Sequence, residues 1–231
     1  MKPRAKAKRV KKRGWFKTLL LCPIALVAAF YFVCVLTIAG LRWIHPPTTS
    51  VQLERSFHSH VPYKKQYTWV PLKRISPALQ HAVIAAEDAR FYQHRGFDWV
   101  QVRKVIDQDL EKGKFGRGAS TIDQQLVKNL FLSTSRSFVR KGVEFTLVPV
   151  METVLPKNRI LELYLNVIEW GPGVYGAEAA AEYWYRVPAS QIGRDQAARL
   201  AAIIPAPLKR RPALMNEYSE DIETRVRQMG W

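Results

Sequence analysis

Apolar residues along the chain first run together and then settle into helical spacing. From Thr18 to Leu41 no charge interrupts TLLLCPIALVAAFYFVCVLTIAGL, and about 24 such residues are enough to cross a ~30 Å hydrocarbon core as a helix. The run is longer than the apolar part of a signal peptide and lacks an A-x-A-like site, so it predicts a retained transmembrane span. HPPTTS and the residues to about Ser76 read as extended linker carrying Phe57, Tyr63, Tyr67 and Trp69, with a hint of strand only near Tyr63 to Val70. Helices dominate thereafter. Ser76-Pro77 supplies a capping serine and a proline at the first helical position, and Leu79, Val83 and Ala86 follow at helical spacing. Glu87, four residues beyond Val83, extends that apolar row.

A second helix starts at Ser120 as cap, with Asp123 three residues on. It puts Ile122, Leu126, Leu130 and Phe131 on one side and Gln124, Gln125, Lys128 and Asn129 on the other. A third helix is expected from about Arg136 to Leu155, kinked or broken at Pro149 because a mid-helix proline costs about 3 kcal/mol. A fourth runs from Lys157 to about Ile168 and buries Ile160, Leu161, Tyr164 and Leu165. Gly171, Gly173 and Gly176 mark a loop before an alanine-rich helix through Ala181, and a further helix precedes Pro205. The division is therefore a tail over 1–17, a span over 18–41, a linker over 42–76, a mostly α core over 77–207 and a C-terminal tail over 208–231.

Composition bounds the reading further. Hydrophobic residues at 48% and charged residues at 24% are ordinary globular values, which excludes wholesale disorder. Lys plus Arg is 36 against 19 acids, a net charge of +17. Lys2, Arg4, Lys6, Lys8, Arg9, Lys11, Lys12, Arg13 and Lys17 concentrate about half of that excess ahead of the span. The positive-inside rule keeps such a tail cytoplasmic and places everything after Arg42 outside. A nucleic-acid arm would not need an apolar span behind it, so no nucleic acid is expected as a partner. Cys22 and Cys34 both fall in the span, leaving no disulfide for the outer part.

The chemistry sits on the helices. Glu87 and Asp88 point about 100° apart on a helix, so only Glu87 lies on the apolar row, where desolvation raises a carboxyl pKa and suits it to proton transfer. A structural pairing of Glu87 with Arg90 or His94 is the alternative. Gly113 to Gly118 has the interval of a nucleotide-binding phosphate loop, but Ala119 stands where lysine is required, so ATP use is not expected. Other phosphates could still be received there, with Lys128 two turns into the helix. Arg140 and Glu144, Asn158 and Glu162, and Glu162 and Asn166 are four apart; each alone reads as a helix-surface pair. Glu152, eight beyond Glu144, shares a face with it.

Taken in order, EDARFYQHRG, GASTIDQQLVKNLFL, RKGVE, ILELYLN and GVYGAEAAAEYW resemble the five motifs of the peptidoglycan glycosyltransferases, most closely their monofunctional, membrane-anchored members. The resemblance covers roughly Trp43 to Pro207. Asp123 in place of Ser or Thr, the intruding Pro149, and Trp184 in place of Phe depart from the pattern. The resemblance implies a mostly helical, lysozyme-like glycosyltransferase lobe with a small membrane-proximal lobe, preceded by one transmembrane helix in the cell inner membrane. It implies lipid II and the growing glycan strand as substrates, contact with the lipid bilayer, and cell-wall synthesis or division proteins as possible partners. Glu87 and Glu144 would be the catalytic pair: Glu87 the base for the attacking sugar hydroxyl, Glu144 the group that orients the donor. Asp88, Phe91, His94, Gly118, Ser120, Thr121, Gln124, Gln125, Lys128, Asn129, Arg140, Lys141, Glu162 and Asn166 would bind substrate, with Lys128, Arg140 and Lys141 on the departing pyrophosphate. No cofactor is obligatory, although a divalent cation (Mg or Mn) could sit at the pyrophosphate. No S-x-x-K occurs, so the chain is expected to polymerise and not to cross-link. A membrane-anchored lysozyme-like hydrolase and a non-enzymatic scaffold are the rival readings.

Overall fold

The computed structural model describes residues 13–58, 64–112, 120–135 and 137–231. The chain divides into two compact units, one up to Thr37 and one from Ile38 to Trp231. Helix α1 (Arg13–Gly40) fills the described part of the first. Its Leu21–Gly40 stretch, of mean hydropathy 2.5, is the one helix among the described residues long and apolar enough to cross a membrane. Pro23 lies inside it.

The second unit is mostly helical. The 42–76 region is not all linker: α2 (Ser50–His58) forms within it. Nine residues of mixed polarity make a weak helix on their own, and packing holds this one. Val51 and Gln52 are buried, and Gln52 Nε2 donates to the carbonyl of Val167 at 3.1 Å. Arg55 meets Glu169 at 3.1 Å, and the Glu54 carboxylate accepts from both N and Oγ1 of Thr134 at 2.8 Å. Helix α3 (Pro77–Glu87) starts at Ser76 as expected, but Ser76 Oγ donates to the Ile192 carbonyl at 2.6 Å and caps nothing. Helix α4 (Trp99–Lys112) leads to α5 (Ile122–Phe131) across residues outside the described set, Gly118 among them.

The cap of α5 is Thr121, not Ser120. Its Oγ1 accepts from Gln124 N at 3.2 Å, and Gln124 Oε1 accepts from Thr121 N at 3.1 Å, so the reciprocal box uses glutamine three residues on, where Ser120 paired with Asp123 was expected. Helix α6 runs unbroken over Phe138–Val154 through Pro149. Pro149 is on the exposed side, so the missing N–H leaves its gap toward solvent and not in the core.

Helix α7 (Lys157–Val167) leads into a small sheet of order β1-β3-β2, formed by β1 (Gln66–Tyr67), β2 (Glu169–Gly171) and β3 (Val174–Tyr175). The strands are two or three residues long, too short to show alternation. Gly176 (φ +85°) turns the chain into α8 (Ala177–Tyr185); a Cβ there would stand 2.6 Å from the Asn166 carbonyl oxygen, so only glycine fits. Helices α9 (Arg194–Ile203) and α10 (Asn216–Gln228) complete the unit. Residues 208–231 are thus no tail: α10 packs on α9 and α3, buries Ile222, and is followed by Trp231 stacked on His81 with ring centroids 4.2 Å apart.

Candidate active site

Helix α3 ends on Glu87, α5 faces it, and α6 brings in a second carboxylate. Glu87 Oε2 accepts from Gln125 Nε2 at 2.7 Å, and Gln125 Oε1 accepts from the Tyr164 hydroxyl at 2.8 Å. Burial pushes the Glu87 pKa up; the Gln125 hydrogen bond and the positive charges of Lys128 and Arg210 oppose that rise, while Asp88 adds to it. Glu144, 2% exposed, is instead locked between cations: it pairs with Arg140, and Lys141 Nζ lies 2.7 Å from its Oε2. Lys141 also reaches Ser120 Oγ at 3.2 Å. Between the two carboxylates sits Lys128, whose pKa is lowered by burial and by Arg140 and held up by Glu144 and Glu87. The result is one desolvated carboxylate without an ion-pair partner facing a cluster of three cations. A cavity of about 400 Å³ opens beside Glu87 and Ser120.

A transglycosylase family model matches residues 54–229. The chain belongs to that family. A biosynthetic peptidoglycan transglycosylase of Laribacter hongkongensis is 48% identical over 169 residues, 72% of this chain and 74% of the relative. One from Shewanella oneidensis is 42% identical over 210 residues, covering 89% and 90%. A Neisseria meningitidis relative is 54% identical over 142 residues, 62% of this chain and 86% of the relative. The matched region begins inside α2 and takes in α10, so the transglycosylase domain is wider than the 77–207 core expected from spacing.

Several residues expected to touch substrate have inward partners instead. Asp88 accepts from Ile122 N at 3.0 Å and lies 2.9 and 3.0 Å from His94 Nε2. Phe91 is fully buried beneath the Lys157 ammonium, 4.3 Å from the ring centroid. Thr121 Oγ1 donates to Gly96 O at 2.7 Å besides capping α5 with Gln124. Asn129 donates to the Gln125 carbonyl at 2.8 Å. Glu162 accepts from Leu72 N at 2.7 Å and pairs with Arg159, while Asn166 exchanges two hydrogen bonds with the backbone of Val70, at 3.0 and 2.9 Å. Gln124, Glu162 and Asn166 therefore spend polar atoms on backbone groups of their own fold, Phe91 is packed in the core, and His94 holds Asp88.

Three features escaped the spacing argument. Tyr164 reads as one more buried residue of α7, although a buried phenol needs a partner, and here that partner is the amide that holds Glu87. Arg210, whose charge is felt at Glu87, lies in what looked like a tail. Asp123, fully buried, meets Lys157 Nζ at 3.2 Å, and the same ammonium lies 2.5 Å from Glu152. Glu152 thus serves α7 and not the Glu144 face.

Among the described residues, neither group of carboxylates near the site fits a divalent ion. Glu144 is already compensated by Arg140 and Lys141. Asp88, His94 and Asp123 offer ligand atoms within 4.8 Å of one another, but Asp88 and Asp123 are engaged by His94, a backbone N–H and Lys157. No step below passes through a metal. A separate cavity of about 370 Å³ beside His81 and Trp231 contains Glu223 and Arg227, which face each other at 3.6 Å, and no buried carboxylate.

Proposed function

We propose that this chain is a biosynthetic peptidoglycan transglycosylase that polymerises lipid II into linear glycan by inverting transfer, releasing undecaprenyl pyrophosphate, without transpeptidase activity. The observation that carries this reading is the contrast between the two carboxylates. Environments that push two acids apart assign them different tasks. Glu87, desolvated and held by a neutral amide, takes the proton of the acceptor's sugar 4-hydroxyl as that oxygen bonds to the donor's anomeric carbon. The bond from that carbon to the pyrophosphate oxygen breaks on the opposite face, which inverts the centre. Lys128, Arg140 and Lys141 meet the charge that grows on the departing pyrophosphate. Glu144 fixes Arg140 and Lys141 in place for it and so acts through them.

The same reading makes α1 a membrane anchor with its amino terminus in the cytoplasm and the catalytic unit outside. Trp99, Ile106 and Leu110 form one exposed stripe on α4, and Phe138, 99% exposed, adds to the apolar surface; these suit the outer leaflet.

The test is purified enzyme with lipid II. Glu87→Gln preserves size and hydrogen bonding but cannot accept a proton, and should abolish polymer formation while still binding moenomycin, an inhibitor that resembles the family's donor. Near wild-type turnover would remove Glu87 from the role of base, and disappearance of preformed glycan in place of polymer growth would make the chain a hydrolase.

A further inference from the structure

Residues 41–47, between α1 and α2, form no helix or strand, yet they belong to the second unit, which begins at Ile38. The turn after α1 closes on Ala39 and Gly40, whose carbonyls accept from Arg42 N, Trp43 N and Ile44 N. The carbonyls further on are taken by side chains. Arg159 donates from Nε to Leu41 O and from Nη2 to Ile44 O, both at 2.8 Å. The Tyr67 hydroxyl donates to Pro46 O at 2.8 Å, and Lys65 Nζ donates to Pro47 O at 2.9 Å. In the other direction Arg42 Nη1 donates to the carbonyl of Val154, the last residue of α6, at 2.8 Å. Leu41 and Pro46 are buried, whereas Trp43 and Ile44 are 76% and 66% exposed.

Arg159 is the centre of this arrangement. Its side chain is only 16% exposed, so its bonds are largely shielded from solvent. Besides the two carbonyls it pairs with Glu162, and its guanidinium carbon lies 5.3 Å from the centroid of the Trp69 ring, which stacks on His45 at 5.0 Å. Arginine's planar fork of donors suits two carbonyls, a carboxylate and an aromatic face together. Glu162 also accepts from Leu72 N, and Asn166 Oδ1 accepts from Val70 N. Positions 159, 162 and 166 follow at intervals of three and four, so one side of α7 gathers both the 41–47 segment and the chain near Val70. Tyr164, about 140° from Arg159 around the helix, leads through Gln125 to Glu87. Side chains of α7 thus connect the point where the chain leaves its apolar run with the candidate base.

We propose that Arg159 is a positioning residue for polymerisation at a lipid surface: it straps residues 41–47 to α7 and so sets the height of Glu87 over the bilayer. The inference rests on the membrane-anchor and lipid II readings. Trp43 and Ile44, exposed directly beyond the span, mark the level of the headgroups, and the strap makes that level a fixed feature of the catalytic unit. Left free, a segment of about seven residues would be a tether of about 15 Å r.m.s. length. Glu87 would then stand at the substrate's level for only a fraction of the time, and a substrate confined to the bilayer cannot follow it.

The experiment compares full-length wild type, Arg159→Ala, Arg159→Lys and a Lys65→Ala, Tyr67→Phe double variant, each with lipid II in detergent micelles and in vesicles of phosphatidylethanolamine and phosphatidylglycerol. Arg159→Ala should polymerise about tenfold more slowly than wild type in vesicles and within about twofold of it in micelles, where no surface fixes a height. Lysine, which supplies the charge without the fork, should restore part of the vesicle rate. The double variant leaves α7 untouched and should show the same split on a smaller scale, so the test survives if Arg159→Ala does not fold. Equal losses in both media would make Arg159 a support of the fold alone, and an unaltered vesicle rate in Arg159→Ala or in the double variant would detach the strap from the reaction; either overturns the proposal. Height is read independently by energy transfer from a dye on Glu217→Cys, in a Cys22→Ser, Cys34→Ser background, to an acceptor on the vesicle headgroups: one distance for wild type, a spread of distances for Arg159→Ala. The same distribution in both overturns the strap whether or not polymer forms, whereas a wild type that makes no polymer fails the lipid II reading.

Discussion

Glu87 and Glu144 are the same chemical distance from their backbones, yet one is held by an amide and the other by two cations. Because Gln125 donates to Glu87, it lowers a pKa that burial raises. A base works only when ionised, so the rate should fall as pH drops through the Glu87 pKa, which lies above its ordinary 4.5. Gln125→Ala removes the lowering contribution and should move that acid limb to higher pH. Tyr164→Phe, which frees the amide to turn, should do the same to a smaller degree. An acid limb that stays put in Gln125→Ala would show that another group titrates. Lys128→Ala should cost about 10²-fold in kcat, the scale of one lost electrostatic contact to developing charge; a folded variant of unchanged rate would remove Lys128 from the pyrophosphate. Spacing alone exposed Glu87, because a carboxylate on an apolar row is anomalous. It could not expose Tyr164, because a tyrosine on such a row is ordinary and only the fold shows what its hydroxyl meets.

Helices α5, α6 and α7 are joined at one buried point by Asp123, Glu152 and Lys157. Two carboxylates against one ammonium leave an excess negative charge in a region from which water is largely excluded. Burial and the hydrogen bond with Glu152 therefore push the Asp123 pKa up to about 8, with Lys157 opposing; Asp88 and His94 also bring atoms within 4.8 Å of its carboxylate. A folded pKa raised above its unfolded 3.8 means that the native state holds a proton the unfolded chain releases. The associated stability is complete below about pH 4 and is lost as pH rises through about 8. The melting temperature should decline over that window, and Asp123→Asn should flatten the decline. If the variant keeps the wild-type slope, Asp123 is ionised throughout. This element-scale device was half legible: the position stood out as a departure from Ser or Thr, but its partners lie 29 and 34 residues on and only the packing of three helices reveals them. The α5 cap shows the same limit, since Ser120 and Thr121 are equally good capping residues and the choice falls to Thr121, whose hydroxyl also reaches Gly96 O. Strands of two or three residues, whose partners are distant in sequence, leave no pattern at all.

At the scale of the molecule, the helical character and the apolar amino-terminal run were plain from hydropathy, whereas the extent of the catalytic unit was not. Helix α10 reads as a charged tail because its buried face is narrow: Ser219 and Ile222 are its buried positions, and the rest is polar. Yet its packing on α3 and α9 brings Arg225 to the cavity wall, and removal of residues 208–231 should unfold the unit where loss of a tail would not. The proposed orientation is argued from charge. Nine basic residues precede the span and Arg42 alone lies immediately beyond it, an asymmetry that favours a cytoplasmic amino terminus. Under the proposed function, such an orientation would put Glu87 and the Lys128, Arg140 and Lys141 cluster on the outer side, with the proposed lipid-linked substrate. An alkaline phosphatase joined after Trp231 should accordingly be active in cells, and a reporter that works only in the cytoplasm should be silent at the same junction. The opposite pair of results would place the catalytic unit inside and would break the link between the anchor and the proposed substrate, because the tail charges would then have crossed the membrane against the potential that normally retains them.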